Sequence, residues 1–475
     1  MGTIASSGST TVTPKYSRLR RRLLLTVLAV LLVVAGGGWF VVDRLGAGDD
    51  GAATDPATAA AELPEVDAAP PVLAALASEA PRPDPAALAA ELDPLLASPA
   101  LGPGVSAGVV DVASGEVLLE ADAATPAVPA STAKLLTAVA ALTTLGPEAT
   151  LETTVVAGAT PDEVVLVGGG DPTLSRTAPS LTYPGAPTVA DLAAQVQSAL
   201  PAGTAVRRVV VDNSLFDGPL TASGWGPGDA PSSYAAPITA AAVDGARVRS
   251  GDPARSGQPG TDAGAALATA LGVPSATVTL GTAPVGTQVL GTVRSAPLAR
   301  VVEQTLSQSD NVLAEALARH VAIARDLPAT FEGAAQAVPA ALADAGLDVS
   351  GVQLSDGSGL SLEDRVPVAL LADLLTDAAD GSLPEASAVL SGLAVAGYDG
   401  TLAERGDADP ATAPGAVRAK TGTLLGVHGL AGTVVTADGR LLVFAVVADA
   451  APPNGAAAEA ALDDVAAALA GCGCR

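Results

Sequence analysis

Patterns typical of β-strands occur at both ends of the globular part of the chain, and they restrict the folds open to it most strongly. Five such segments are bounded by turn residues: 104–112 and 116–122 near the start, and 416–422, 428–437 and 440–449 near the end. Consecutive strands joined by short turns pair antiparallel. We therefore expect one antiparallel five-stranded sheet, built from both ends of the chain and covered by helices.

The segments between these ends predict helices. Apolar residues recur at helical spacing in six places: 85–96, 131–145, 297–322, 329–346, 367–379 and 455–470. Some of these helices would cover the sheet and the others would form a helical subdomain. The fold class that this pattern predicts is α+β.

An insertion interrupts the main domain. Residues 151–290 show short Val-rich strands, Gly and Pro turns, and one clear helix near 188–200. We therefore predict a main domain of residues 85–150 and 291–475, with one small β-rich domain inserted between the two parts. Within the insertion, residues 245–262 are too polar and too rich in Gly and Pro to form a second core.

The chain starts with a predicted membrane anchor. Residues 1–22 carry five basic residues and no acidic one, and residues 23–42 are 20 uncharged, mostly apolar residues. Such a segment spans about 30 Å as a helix, and the basic flank predicts a cytoplasmic tail. Residues 43–83 are rich in Ala, Pro and acidic residues, which predicts a disordered linker, with order beginning near Asp84. The protein would be single-pass in the cytoplasmic membrane with its domains outside, or secreted if a signal peptidase removes the segment.

Charge and residue counts exclude several classes of protein. The net charge is −26, and no basic patch compensates for it, so we expect no nucleic-acid partner. The two histidines lie far apart, without the spacing of metal ligands, so we expect no metal. The two cysteines, Cys472 and Cys474, are separated by one residue, so disulfides cannot link distant parts of the fold.

Three short motifs carry the predicted chemistry. Ser131 and Lys134 form S-x-x-K at a helix start, where residues three apart share a face. Ser309, Asp310 and Asn311 form S-D-N before another helix, and Lys420-Thr421-Gly422-Thr423 forms K-T-G-T at a strand end. A serine needs a base, and a desolvated lysine can be neutral enough to serve. Taken singly, the first two motifs could be helix caps and the third a strand end with a turn glycine.

The three motifs in this order resemble the signature of penicillin-binding proteins and class A β-lactamases. Longer stretches resemble one family, the D-alanyl-D-alanine carboxypeptidase/endopeptidases, or low-molecular-mass class C penicillin-binding proteins. The resemblance covers roughly residues 85–470 and implies a penicillin-binding/β-lactamase-like fold. It rests on residues 129–149, 166–175, 209–219, 224–225, 234–244, 307–317, 356–361, 396–402 and 420–432.

The resemblance implies a serine DD-peptidase without a cofactor. Peptidoglycan stem peptides would be its substrates and β-lactam antibiotics its inhibitors. Ser131 would be the nucleophile, Lys134 the base and Ser309 a proton relay. Asn311 would bind the substrate amide, and Lys420 would keep the site positive. Thr421, Gly422 and Thr423 would bind the substrate, with the amides of Ser131 and Thr423 as oxyanion hole.

Two alternatives to the peptidase stay open at this point. A β-lactamase would need a Glu-x-x-x-Asn pattern for rapid deacylation, and none of the three asparagines has a glutamate four residues before it. A catalytically inactive wall-binding protein is disfavoured by the three intact motifs.

Family members usually have a second inserted domain, which here would be missing or reduced to a loop near 245–262.

Other serine and histidine patterns are weaker. Ser106 lies in a G-x-S-x-G sequence, but inside a strand rather than at the sharp turn that a nucleophile elbow needs. His320 is expected on a helix, away from the chemistry. His428 follows the K-T-G strand and could contact substrate, but we do not expect it to act as a base.

Overall fold

A computed structural model of the chain describes residues 80–405 and 414–474. Its α-helices are α1 Pro85–Leu96, α2 Lys134–Leu145, α3 Val189–Ala199, α4 Pro259–Ala270, α5 Leu298–Ser307, α6 Asn311–Ala324, α7 Phe331–Asp344, α8 Val368–Asp380, α9 Ala388–Gly392 and α10 Gly455–Gly471. Its strands are β1 Val105–Asp111, β2 Glu116–Ala121, β3 Pro126–Ala127, β4 Glu152–Ala157, β5 Glu163–Val167, β6 Arg208–Asp212, β7 Thr277–Leu280, β8 Val289–Arg294, β9 Val366–Pro367, β10 Ala394–Val395, β11 Val417–Leu424, β12 Val427–Val435 and β13 Leu441–Ala448.

Both ends of the chain meet in one antiparallel sheet with the strand order β10-β11-β12-β13-β1-β2. The five strands expected from the sequence are all present, and the short strand β10 adds a sixth. In β13, Val443, Ala445 and Val447 face one apolar core while Phe444 and Val446 face another. A strand buried on both faces needs such a continuous apolar run, because successive side chains point to opposite faces.

Helices cover both faces of this sheet. On one face α1 and α10 pack against it through residues such as Leu88 and Leu462. On the other face lie α2 and α8 together with α5, α6, α7 and α9, and Leu135 and Leu371 are fully buried there. The face with α2 is the one that matters for function, because S-x-x-K stands at the start of α2.

A second sheet has the order β7-β6-β5-β4-β8 and is built entirely within residues 152–294. Strands β5, β6 and β7 run parallel, while β4 pairs antiparallel with both β5 and β8. Parallel neighbours need a crossover, and helices α3 and α4 supply the two crossovers. The core of this sheet consists of Val, Leu and Ala side chains.

The sequence did not predict helix α4. The helix begins at Pro259, inside the stretch 245–262 that was expected to be only a polar loop. Proline at the first helical position is favourable, since its missing N–H is not needed there. Ala263 and Leu267 then bury the helix against the same core as the second sheet. Residues 259–294 thus extend that sheet and core, and the division of the chain at residues 150 and 290 stays a prediction.

The helical pattern expected at 297–322 is divided into α5 and α6 by a sharp turn at residues 308–310. Ser309 has φ of +53°, which is rare for a residue with a side chain. The Asp310 carboxylate then caps α6 by accepting hydrogen bonds from the amides of Val312 and Leu313, at 3.0 and 3.3 Å. This turn is where the S-D-N motif lies.

Predictions for the start of the chain fall mostly outside the described residues. This holds for the tail 1–22, the anchor 23–42 and residues 43–79 of the linker. Within residues 80–405 and 414–474, no helix is long and apolar enough to cross a membrane. Ala80, the first residue that the structure describes, is 7% exposed. At the other end, Cys472 and Cys474 form a disulfide with each other.

Candidate active site

Ser131 and Lys134 lie side by side at the start of α2. Ser131 belongs to a 3-10 turn, Ala130–Ala133, which leads directly into the helix that begins at Lys134. The Lys134 ammonium donates hydrogen bonds to Ser131 Oγ at 2.9 Å, Asn311 Oδ1 at 2.5 Å and the Ser358 carbonyl at 2.7 Å. The i, i+3 spacing read from the sequence therefore does bring amine and hydroxyl into contact.

Lys134 is fully buried, and burial disfavours its charged form. Burial lowers its pKa to about 8, although the negative charges of Asp356 and Glu315 partly oppose the shift. Near neutral pH a useful fraction of this amine is therefore unprotonated. An unprotonated amine 2.9 Å from a serine hydroxyl can accept its proton.

The S-D-N motif connects to both lysines of the site. Asn311 accepts from Lys134, while Ser309 Oγ accepts from the Lys420 ammonium at 2.9 Å. The left-handed turn at Ser309 aims these two side chains into the site while the Asp310 side chain points the other way, under α6. All three motifs predicted from the sequence therefore meet, through Lys134, Asn311, Ser309 and Lys420.

Lys420 is buried on strand β11, in the middle of the K-T-G-T motif. Its ammonium also donates to the Thr421 carbonyl at 2.9 Å. Burial, and then the nearby charge of Lys134, lower the pKa of Lys420 well below its ordinary value. This favours the neutral amine, whereas the sequence had led us to expect a residue that keeps the site positive.

The rest of the K-T-G-T motif forms one wall of the site. Thr421 Oγ1 donates to Thr401 Oγ1 at 2.9 Å, and Thr423 lies opposite His428 in the strand register. Gly422 permits the close approach of β11 to the serine turn, because a Cβ there would lie only 3.0 Å from the Pro129 carbonyl. A larger residue would push the strand away from the nucleophile.

These residues open into a cavity of about 920 Å³. Ser131, Ser309, Asn311, Thr421 and Thr423 line it, whereas the two lysines lie buried behind its wall. A cavity of this size accommodates a peptide of several residues. The segment 151–290 also contributes lining residues, namely Gly224, Gly226, Asp229 and Tyr234.

Carboxylates beneath Lys134 were not among the residues expected from the sequence. Glu315 accepts from the Gly357 amide at 3.1 Å, and Asp356 accepts from the amides of Ser358 and Gly359 at 3.0 and 2.6 Å. They fix the loop whose Ser358 carbonyl binds Lys134. Burial and the charge of Asp356 raise the pKa of Glu315 to about 7. The stretch Asp-Gly-Ser-Gly-Leu-Ser at 356–361 was a sequence signal for this loop, but without a motif role.

The other serines and histidines lie apart from this chemistry. Ser106 is buried within strand β1. His320 donates from Nε2 to the Gly170 carbonyl at 3.3 Å, as a packed helical residue. His428 lines the cavity and is 4% exposed. Within the described ranges, no three His, Cys, Asp or Glu side chains cluster as metal ligands.

Comparison with known families identifies this arrangement. The model of the D-Ala-D-Ala carboxypeptidase 3 (S13) family matches residues 88–251 and 249–469. The chain belongs to this family. It is therefore a serine peptidase, as the three motifs implied.

Individual relatives agree with the family assignment. A carboxypeptidase of Mycobacterium tuberculosis is 41% identical over 408 residues, covering 84% of this chain and 87% of the relative. The carboxypeptidase DacB of Mycolicibacterium smegmatis is 41% identical over 431 residues, covering 89% and 92%. The crystal structure of penicillin-binding protein 4 from Haemophilus influenzae matches with a TM-score of 0.64 and 22% identity, covering 80% of this chain and 98% of that one. The structural match confirms the predicted fold class.

Proposed function

We propose that the chain is a serine-type D-Ala-D-Ala carboxypeptidase and endopeptidase, which cleaves peptidoglycan stem peptides through an acyl-enzyme on Ser131. The observation that carries the proposal is the contact between the buried Lys134 amine and Ser131 Oγ, 2.9 Å apart at the wall of a peptide-sized cavity. Family membership narrows the reaction to this class.

Acylation would begin with the neutral form of Lys134. Its amine takes the proton of Ser131 Oγ as that oxygen attacks the carbonyl carbon of the penultimate D-alanine. The backbone amides of Ser131 and Thr423 are the proposed donors to the oxyanion. The C–N bond then breaks, and the leaving D-alanine amine takes up a proton through Ser309. The proton that Lys134 accepted from Ser131 balances the one delivered to the leaving amine, and Lys420 holds the Ser309 hydroxyl in place from 2.9 Å.

Substrate binding would use the remaining polar groups of the wall. Asn311 Oδ1 is engaged by Lys134, which leaves its NH₂ group to donate to the substrate carbonyl. Thr421 and Thr423 would bind the terminal carboxylate next to Gly422. Water then hydrolyses the acyl-enzyme. β-Lactams would acylate the same serine and remain bound, since the chain lacks the Glu-x-x-x-Asn pattern for rapid deacylation.

We also propose that residues 23–42 hold the enzyme in the cytoplasmic membrane with its catalytic part outside. The support is the sequence alone: 20 uncharged residues that follow a basic segment. Membrane fractionation and sequencing of the mature N-terminus test this. A mature protein that starts after Trp39 would replace the anchor with a cleaved signal.

The test of the nucleophile is mass spectrometry after incubation with penicillin. The full-length protein should gain one acyl group on Ser131, and Ser131→Ala should lose both the label and peptide hydrolysis. Ser106→Ala is a matched control, because Ser106 is a buried serine in strand β1, in the competing G-x-S-x-G sequence. Labelling that persists in Ser131→Ala would overturn the assignment.

The endopeptidase part has its own test. The shortened insertion that the sequence predicts would leave a relatively open cleft, which would admit a second stem peptide. The enzyme should therefore hydrolyse a cross-linked dimer as well as a pentapeptide. Hydrolysis of the pentapeptide alone would remove the endopeptidase activity from the proposal.

A further inference from the structure

Asp310 is the one member of the S-D-N motif that does not face the cavity. Its carboxylate is 2% exposed, and one oxygen caps helix α6 as described above. The other oxygen accepts hydrogen bonds from Tyr183 Oη at 2.7 Å, Arg255 Nη2 at 2.9 Å and Arg247 Nη2 at 3.3 Å. A buried carboxylate is stable only with such partners.

All three donors come from the segment 151–290, outside the motifs themselves. Arg247 and Arg255 pair as an antiparallel β-bridge, which places their side chains next to each other. Arg247 also donates to Tyr183 Oη at 2.7 Å, and Arg255 donates to the Gly245 carbonyl. We call Tyr183, Arg247 and Arg255 the clamp.

The turn beneath the clamp has an unusual backbone. Asp244, Gly245 and Ala246 have φ of +51°, +64° and +63° in succession. A Cβ at residue 245 would lie 2.0 Å from Tyr183 Oη, so only glycine fits there. The Asp244 carboxylate is held by Ser175 Oγ at 3.0 Å and Ser250 Oγ at 2.8 Å. Backbone in such conformations persists only where the surroundings enforce it, and it is common near functional sites.

The turn that the clamp supports is itself strained. Ser309 adopts φ of +53° immediately before Asp310, and its hydroxyl must stay 2.9 Å from Lys420. On the other side of Asp310, Asn311 must stay within 2.5 Å of Lys134. A shift of Asp310 would therefore move both contacts at once.

We propose that Arg255, with Arg247 and Tyr183, is a positioning residue of the active site: through Asp310 it holds Ser309 and Asn311 against the two lysines. The inserted segment thereby supports the S-D-N motif on the side away from the cavity. It also contributes residues that line the cavity. This rests on the proposed function of Ser131, Lys134 and Ser309.

Kinetics of Arg255 variants test the proposal. In the full-length enzyme, Arg255→Gln should lower kcat on a pentapeptide and the rate of penicillin acylation by about 10²-fold with KM nearly unchanged, since misplacement of a reacting group by about 1 Å costs that much. Arg255→Lys, which keeps the charge near Asp310, should recover part of the rate. Arg208→Gln is the control, because it removes an ion pair with Glu163 from the same segment, away from Asp310.

A double-mutant cycle separates positioning from a general loss of stability. If Arg255 acts through Ser309, then Arg255→Gln should cost much less in a Ser309→Ala background than in the wild type. Equal losses in both backgrounds would overturn the inference, as would an Arg255→Gln enzyme that behaves like Arg208→Gln. If Arg255→Gln does not fold, Tyr183→Phe removes one donor to Asp310 and should reduce acylation about three- to tenfold, again with a smaller effect beside Ser309→Ala.

Penicillin labelling of the wild-type enzyme tests the proposed function independently of the clamp. Failure of penicillin to label Ser131 in the wild type would reject the proposed function. Normal labelling of Ser131 together with unchanged Arg255→Gln kinetics would reject the clamp alone.

Discussion

The core of the second sheet and the active-site region beside the first sheet contain very different buried side chains. The core of the second sheet consists of Val, Leu and Ala, contributed by strands β4 to β8 and helices α3 and α4. Around the active site beside the first sheet, buried charged groups accumulate instead, among them Lys134, Lys420, Asp310, Glu315 and Asp364. Both regions come from a chain in which hydrophobic residues make up 49%.

The difference shows that burial has opposite consequences for aliphatic side chains and for ionisable groups. Removing an aliphatic side chain from water stabilises the fold by about 25 cal/mol for each Å² of apolar surface. Removing an amine or a carboxylate from water destabilises its charged form. Burial therefore lowers the pKa of an amine and raises the pKa of a carboxylic acid. The active-site region thus gives up stability for groups with altered proton affinity. Substitutions in the two regions should therefore affect different properties.

The largest effect on activity should come from the base. Lys134→Met keeps the length of the side chain but removes the proton acceptor, so acylation by penicillin should fall by about 10²–10⁴-fold. The thermal unfolding curve should remain cooperative, which shows that the loss is chemical. Stopped-flow or gel-based labelling with a fluorescent penicillin measures the rate. Acylation within tenfold of the wild type would show that another group is the base.

A smaller effect should appear as a pH dependence. Burial lowers the pKa of Lys134 to about 8, and only the neutral amine accepts a proton. The acylation rate constant should therefore rise about tenfold per pH unit below this value and level off above it. The full-length enzyme should be assayed between about pH 5 and 10, with unfolding checked at each pH. A rate that falls over the range from pH 6 to 8 would contradict a base of this kind.

In the second sheet, a core substitution should change stability and leave the chemistry intact. Leu192 on α3 is fully buried among aliphatic side chains. Leu192→Ala should lower the free energy of unfolding by about 2–5 kcal/mol, because it removes apolar contacts and leaves a cavity. The acylation rate per folded molecule should match the wild type at low temperature. A loss of acylation without a loss of stability would mean that this core communicates directly with the site.

The residues of the site could be predicted from the sequence because they lie in short motifs whose spacing indicates their chemistry. S-x-x-K places Ser131 and Lys134 on one helical face, and the strand patterns at both chain ends predicted one antiparallel sheet. The clamp on Asp310 could not be predicted in this way. Its residues, Tyr183 and Arg255, are 127 and 55 positions from Asp310, and contacts over such separations depend on tertiary packing.

Helix α4 was missed for a related reason. Its first residues are Pro, Gly, Thr and Asp, which are typical of turns, and only burial against the second sheet favours the helix. The break at 308–310 was indicated only by the S-D-N motif, which was expected before a helix, because the apolar period of 297–322 continues across it. What interrupts the helix is the left-handed Ser309, whose hydroxyl accepts a hydrogen bond from Lys420, a residue far away in the sequence.

The last effect that we predict concerns one buried carboxyl group near the site. Asp364 Oδ1 accepts from the Ser355 amide at 2.7 Å, while Oδ2 is buried and has no hydrogen-bond partner in the described ranges. Burial, together with the negative charge of Asp356, raises the pKa of Asp364 to about 10. The folded protein therefore keeps this proton at pH values where the unfolded chain, with a pKa near ~3.9, has lost it.

The sign of the pH effect follows from this difference. The contribution of Asp364 to stability is fully present below about pH 4 and is lost progressively as the pH rises toward about 10, because the unfolded state binds fewer protons. Asp364→Asn removes the titration while it retains the acceptor for Ser355. Its free energy of unfolding relative to the wild type should therefore increase between pH 5 and pH 8, as measured by urea denaturation. Asp348→Asn is the control, since that exposed carboxylate caps the Ser350 amide and its lowered pKa predicts no slope in this range. Equal pH dependence in Asp364→Asn and the wild type would mean that Asp364 is ionised in the folded protein, and that the active-site region carries one more buried charge than its surroundings suggest.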